Sequence, residues 1–116
     1  MKKTLHAIKA LAAGHRLLAL IALEKQELCL CDLQDFLGIA ASSVSRHISI
    51  LQKAGFVISR KEGKWTYFRL VPTFGESIPS TLLRAVLASM EHCDSLEKYR
   101  EDLREQLEKK DKDRCR

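Results

Sequence analysis

Apolar residues recur at helical spacing through the first part of the chain: Leu5, Ile8, Leu11 and Ala12, then Leu17, Leu18, Leu20, Ile21 and Leu23. This spacing predicts helices over 4–13 and 15–24, with Gly14 as the break between them. The second segment is apolar over much of its circumference, which predicts a helix buried on several sides. A shorter helix is predicted over 32–37, with Asp32 as its N-cap, the acidic Asp35 three residues on, and Gly38 as its stop. Leu33, Phe36 and Leu37 supply its inward face. Ala41-Ser42-Ser43 then opens a helix running from Ser42 to Ala54, in which Val44, Ile48 and Leu51 fall at i, i+4 and i+7 and Gly55 ends the run. Two short helices joined by a tight turn containing glycine form a helix-turn-helix.

After Gly55 the pattern changes. Phe56 to Arg60 and Trp65 to Leu70 are aromatic and β-branched runs flanking Lys61-Glu62-Gly63-Lys64, which predicts a β-hairpin with a charged tip. Pro79 suits the first turn of a further helix whose stripe is Leu82, Leu83, Val86, Leu87 and Met90, ending near His92. Asp94 is a cap candidate for a last helix, with Glu97 at the capping-box position and Leu96, Leu103 and Leu107 as a sparse stripe. The expected fold class is mainly α with a β-hairpin wing, a winged helix-turn-helix. It is one domain over 1–116, with the wing at 56–70, C-terminal helices at 79–108 and a flexible charged tail at 109–116.

A length of 116 residues with 46% hydrophobic content suits one compact domain. No apolar run reaches the about 18 residues that a membrane span needs. Leu17 to Leu23 lacks a small-residue cleavage site after it, so a cytoplasmic location is expected, with the cysteines as reduced thiols. The net charge of +5 is concentrated. Residues 36–71 hold Arg46, Lys53, Arg60, Lys61, Lys64 and Arg69 against Glu62 alone, while the remainder balances fourteen bases with fourteen acids. A basic block beside a neutral scaffold is the footprint of a polyanion partner.

The predicted helix from Ser42 presents Ser43, Ser45, Arg46, His47, Ser49 and Gln52 on its polar side. Short hydroxyls let a helix backbone approach the DNA groove, and Arg and His reach base edges or phosphates. Arg60, Lys61 and Lys64 are placed to neutralise phosphates from the wing. Helix-turn-helix proteins pair to read two half-sites of double-stranded DNA. The expected homodimer seam is therefore the first helix together with the Leu82 to Met90 stripe. A winged-helix module that binds protein is the other class, and the clustered charge argues against it. No arrangement of nucleophile, base and orienting group marks an enzyme.

Cys29 and Cys31 stand two residues apart just before, or within, the first turn of the short helix. In a helix such residues point about 200° apart. In an extended segment they point to one side, so both grip one soft ion only where the chain is non-helical. Ligation there distorts the entry to the helix-turn-helix. Glu27-Leu28-Cys29-x-Cys31-Asp32-Leu33, Ser45-Arg46-His47-Ile48-x-x-Leu51-x-x-Ala54-Gly55-Phe56-Val57 and Arg60-Lys61-Glu62-Gly63-Lys64-Trp65-x-Tyr67-Phe68-Arg69-Leu70 together resemble the ArsR/SmtB family of repressors, and its arsenical-responsive branch most. The resemblance covers residues 5–95. It implies operator binding as a dimer, release by trivalent arsenic or antimony, Cys29 and Cys31 as inducer ligands, and Ser43, Ser45, Arg46 and His47 facing the operator.

There is one departure: Gln34 stands where that branch carries a third cysteine, and an amide is a poor ligand for a soft cation. Three readings stay open. Cys93 or Cys115, from the same or the partner subunit, completes a three-thiol site. The inducer is an organoarsenical, with two positions left for sulfur. Or the pair senses oxidation or another soft metal such as cadmium. His92 is isolated, so the zinc site that some family members build on this helix is not expected.

Overall fold

The computed structural model describes residues 1–112, in the order α1 (Lys2–Leu11), α2 (Gly14–Ala22), β1 (Leu28–Cys29), α3 (Leu30–Leu37), α4 (Ala41–Lys53), β2 (Val57–Glu62), β3 (Trp65–Leu70), α5 (Ile78–Met90) and α6 (Asp94–Lys112). The architecture is a winged helix-turn-helix, mostly helical with a three-stranded antiparallel sheet in the order β1-β3-β2. α2, α3 and α4 close around a core of Leu20, Leu33, Val44, Ile48, Leu51 and Phe56. Each such side chain, fully buried, contributes about 1.5–3 kcal/mol. The i, i+4, i+7 stripe of α4 is its buried face, as the spacing predicts.

The first two helices meet at 85°. The break falls at Ala12 and Ala13, and Gly14 opens α2 instead of filling the gap. Arg16 spans the corner, donating from Nε to the Ala10 carbonyl at 2.6 Å and from Nη2 to the Lys9 carbonyl at 3.4 Å. It thereby adds donors to the carbonyls at the end of α1, where the Lys9 oxygen also accepts from the Ala12 amide. Among the described residues, no single helix is long and apolar enough to cross a membrane.

Two glycines set the joints of the motif. Gly38 ends α3 in the left-handed region at φ +67°, where a side chain is strained. Gly55 follows α4 at φ +89°, and a Cβ there would lie 2.9 Å from Pro79 Cγ. That close approach seats the start of α5 against the end of α4. Ser77 caps α5 by accepting from the Ser80 amide at 3.2 Å, with Pro79 in its first turn as expected.

Four expectations need correcting. α3 starts at Leu30, not after Asp32: the N-cap is Cys29, and Asp32 is the N3 residue reaching back to it. The hairpin turn is only Gly63 and Lys64, because Lys61 and Glu62 pair with Thr66 and Trp65 inside the ladder. Asp94 is the first residue of α6 rather than its cap. The last helix also runs on to Lys112, past the expected fraying point at Lys109. α6 folds back over α3 of its own chain. There Gln106 donates to the Asp32 carbonyl at 2.9 Å, Tyr99 meets Phe36 edge-on at 6.2 Å, and Leu103 is buried. The remaining tail, with Cys115, lies outside the described residues.

Candidate functional site

Cys29 is buried and extended, at φ −86° and ψ 170°. It is held so by β1, whose Leu28 and Cys29 pair with Phe68 and Tyr67 of β3. Cys31, half-buried, is already in the first turn of α3. The thiol pair therefore straddles a strand-to-helix junction, neither wholly extended nor wholly helical. Asp32 is fully buried beneath it. Its Oδ2 accepts from the Cys29 amide at 3.3 Å, one half of a capping box whose other half is the Cys29 side chain accepting from the Asp32 amide, and also from the Cys29 thiol at 3.2 Å.

The two cysteines open into a groove of about 430 Å³. Its walls are Leu30 and Gln34 of α3, Ser45 of α4, and Lys64, Trp65, Thr66 and Phe68 of the wing. Gln34 thus occupies the wall beside the thiols. No group of three or more Cys, His, Asp or Glu able to hold a metal ion occurs among the described residues, so Cys93 is not brought to the pair. Cys93 is exposed at the α5–α6 junction, 3.1 Å from the Ser95 hydroxyl. That hydrogen bond holds its thiol below the ordinary range.

On α4, Ser42, Ser45 and Arg46 are exposed, while Ser43, His47, Ser49 and Gln52 are half-buried. His47 is engaged from behind: Arg16 Nη1 lies 3.2 Å from its Nδ1, and the His15 ring is 5.6 Å away between centroids. Desolvation first, then the charges of Arg16, His15 and Arg46, lower the His47 pKa. On the wing, Lys61 and Lys64 are exposed, and Lys64 Nζ lies 5.4 Å from the Trp65 ring centre. Arg60 is differently placed. It lies within β2, with Nη2 2.8 Å from Glu27, Nη1 3.0 Å from Glu62 and its guanidinium 4.8 Å over the Tyr67 ring. The Arg60 hydrogen bond holds Glu27 below its usual value.

Sequence reasoning did not find Asp32 as the partner of the thiol, nor Arg16 behind His47. The Asp32-to-Cys29 spacing of a capping box was a usable signal, since it matches the pattern in which residue N3 reaches back to the cap. Arg16 carried none, because its partners come from two other helices, α1 and α4.

Residues 14–59, from the start of α2 into β2, match the family described as bacterial regulatory protein, arsR family. The chain is 42% identical over 65 residues to the arsenical resistance operon repressor of Escherichia coli, covering 55% of this chain and 56% of that one. It is 37% identical over 71 residues to an HTH-type transcriptional regulator of Methanocaldococcus jannaschii, covering 60% and 80%. It is 36% identical over 61 residues to the cadmium resistance transcriptional regulatory protein of Listeria innocua, covering 52% and 51%. The chain thus spans little more than half the length of its arsenical and cadmium relatives. Among solved structures it is similar to the homodimeric winged helix-turn-helix DNA-binding domain of a Mycobacterium bovis protein, at 27% identity and a TM-score of 0.65, over 78% of this chain and 80% of that one. The matching family consists of DNA-binding transcriptional regulators and not enzymes. By its matched helix-turn-helix and its fold, this chain belongs to the ArsR family of bacterial regulatory proteins.

Proposed function

We propose that this chain is a cytoplasmic repressor that holds double-stranded operator DNA as a homodimer. It releases the DNA when trivalent arsenic or antimony, free or as an organoarsenical, binds the thiolates of Cys29 and Cys31. One observation carries this reading: the thiol pair, Ser45 of α4 and Lys64 to Thr66 of the wing share one groove. An ion held by both sulfurs sits where the two DNA-contact elements meet. Binding removes the thiol protons, and with them the donor that Cys29 gives to Asp32. Drawing an extended Cys29 and a helical Cys31 onto one ion unwinds the first turn of α3. Because α3 packs on α4, the change reaches the recognition helix.

On the DNA side, Ser42, Ser43, Ser45, Arg46, His47, Ser49 and Gln52 enter the major groove, with Arg46 and His47 donating to base edges. Lys61 and Lys64 neutralise backbone phosphates. Arg60, already paired with Glu27 and Glu62, supports the wing instead. The seam for the second copy is Leu5 and Ile8, each 49% exposed on α1, continued by the half-buried Leu82, Val86 and Met90 of α5. The homodimeric Mycobacterium bovis relative supports dimerisation.

Gln34 and the cadmium-resistance relative favour a second reading, in which the pair takes cadmium or another soft metal, or senses oxidation. Cys93 or Cys115, from either subunit, would then be the source of further thiols. The test is operator release by arsenite, antimonite, methylarsenite, cadmium, zinc and peroxide, in the parent chain and in Cys-to-Ser variants at all four positions. Arsenite or methylarsenite is expected to release the parent and not the Cys29→Ser, Cys31→Ser double variant. A full arsenite response in that variant removes the proposed site, and release by cadmium or peroxide alone selects the second reading. Arg46→Ala is expected to abolish specific retention while the dimer persists.

A further inference from the structure

Arg16 sits in the first turn of α2 and touches three helices at once. It binds the terminal carbonyls of α1 through Nε (2.6 Å to Ala10) and Nη2 (3.4 Å to Lys9), and its Nη1 lies 3.2 Å from His47 Nδ1 on α4. A guanidinium only donates and does not lose its proton in proteins. His47 Nδ1 is therefore the acceptor, and the ring proton resides on Nε2. The charged or titratable groups facing the ring are Arg16 and His15 from α2 and Arg46 from its own helix, none of them acidic. All of them oppose the doubly protonated ring.

The geometry points to Arg16 as a positioning residue that fixes His47 as a neutral Nε2–H donor toward DNA and braces the recognition helix against α1. The assignment rests on the reading of α4 as the operator-contacting helix. A ring free to choose its tautomer can accept from an amino group or donate to an oxygen. With Arg16 behind it, His47 can only donate. It then pairs with a phosphate oxygen or with a base acceptor (guanine N7 or O6, adenine N7, thymine O4), and rejects the exposed amino groups of adenine and cytosine. Arg16 thus narrows what the helix reads without touching DNA itself.

The test uses the full reduced chain. A long-range ¹H–¹⁵N correlation spectrum of the free protein at neutral pH should show His47 as the Nε2–H tautomer, and Arg16→Ala should give a mixture. In operator titrations over a salt series, Arg16→Ala should weaken binding by about tenfold or more. The slope of log K against log salt should not change, whereas loss of a phosphate contact lowers it by about 0.9. His47→Gln, which removes the ring, should itself weaken binding, and Arg16→Ala should cost less in its background. Should the alanine variant not fold, Arg16→Lys keeps a donor for Nδ1 and should preserve the tautomer. An Nδ1–H tautomer in the parent, or a salt slope reduced in Arg16→Ala, overturns the assignment. A parent that shows the Nε2–H tautomer yet binds no operator refutes the operator reading and leaves the tautomer in place.

Discussion

Replacing Asp32 with alanine tests the junction on which the thiol pair stands. The carboxylate is fully buried and accepts from the Cys29 amide at 3.3 Å and the Cys29 thiol at 3.2 Å. Loss of the N3 half of the capping box costs about 1 kcal/mol. A buried donor deprived of its carboxylate costs about 1–3 kcal/mol more. The expected destabilisation is therefore about 3 kcal/mol. For 116 residues, an unfolding entropy of about 2.1 cal/mol/K per residue converts this to a fall of about 12 °C in the melting midpoint. The assay is thermal unfolding followed by circular dichroism, under reducing conditions and at one fixed protein concentration, since a dimer's midpoint depends on it. Asp32→Asn keeps the shape and one acceptor oxygen, and should lose about half as much. An Asp32→Ala midpoint within about 3 °C of the parent would refute the reasoning.

Thiol reactivity should follow exposure and hydrogen bonding. Iodoacetamide with peptide mapping is expected to label exposed Cys93 before Cys31, and buried Cys29 last. Ser95→Ala should slow Cys93, and an unchanged rate would mean its hydroxyl does not activate the thiol. His47 is shifted below its ordinary value of 6.5, chiefly by desolvation, so the unfolded chain takes up its proton first. Its contribution to stability is full above about pH 6.5 and declines as pH falls through that value, levelling once the folded ring also titrates. His47→Gln should flatten that part of a urea-denaturation series, and an identical pH slope in the variant would refute it. Lys64→Ala should reduce the salt slope of operator binding by about 0.9. Arg60→Ala should leave that slope alone, because Glu27 and Glu62 already neutralise it. Leu5→Glu with Ile8→Glu should give a folded monomer by sedimentation, and a persistent dimer would move the seam elsewhere.

The helix-turn-helix was legible because its determinants are local: Val44, Ile48 and Leu51 repeat with the helix period, and Gly38 and Gly55 fall where the backbone must turn left. The wing was legible for the same reason, through the aromatic and β-branched runs on either side of Gly63. β1 was not. Two residues carry no period, and Leu28 becomes a strand only because Phe68, far along the chain, pairs with it. The start of α3 was misplaced because Asp32 looks like a cap, whereas a cysteine backed by a carboxylate took that role. The ion pairs of Arg60 were not legible either. Its partner Glu27 lies outside the wing, where no local pattern links the two.

The shared walls of the thiol groove have a consequence for dose. If ligand at Cys29 and Cys31 loosens the grip of α4 and the wing on DNA, then DNA held by those elements weakens ligand binding by the same factor. Operator-bound copies are then the last to respond, and unbound copies capture the toxicant first. On that reading, the level of inducer that switches transcription would be set by how many idle copies stand between it and the promoter, as well as by the chemistry of two sulfurs.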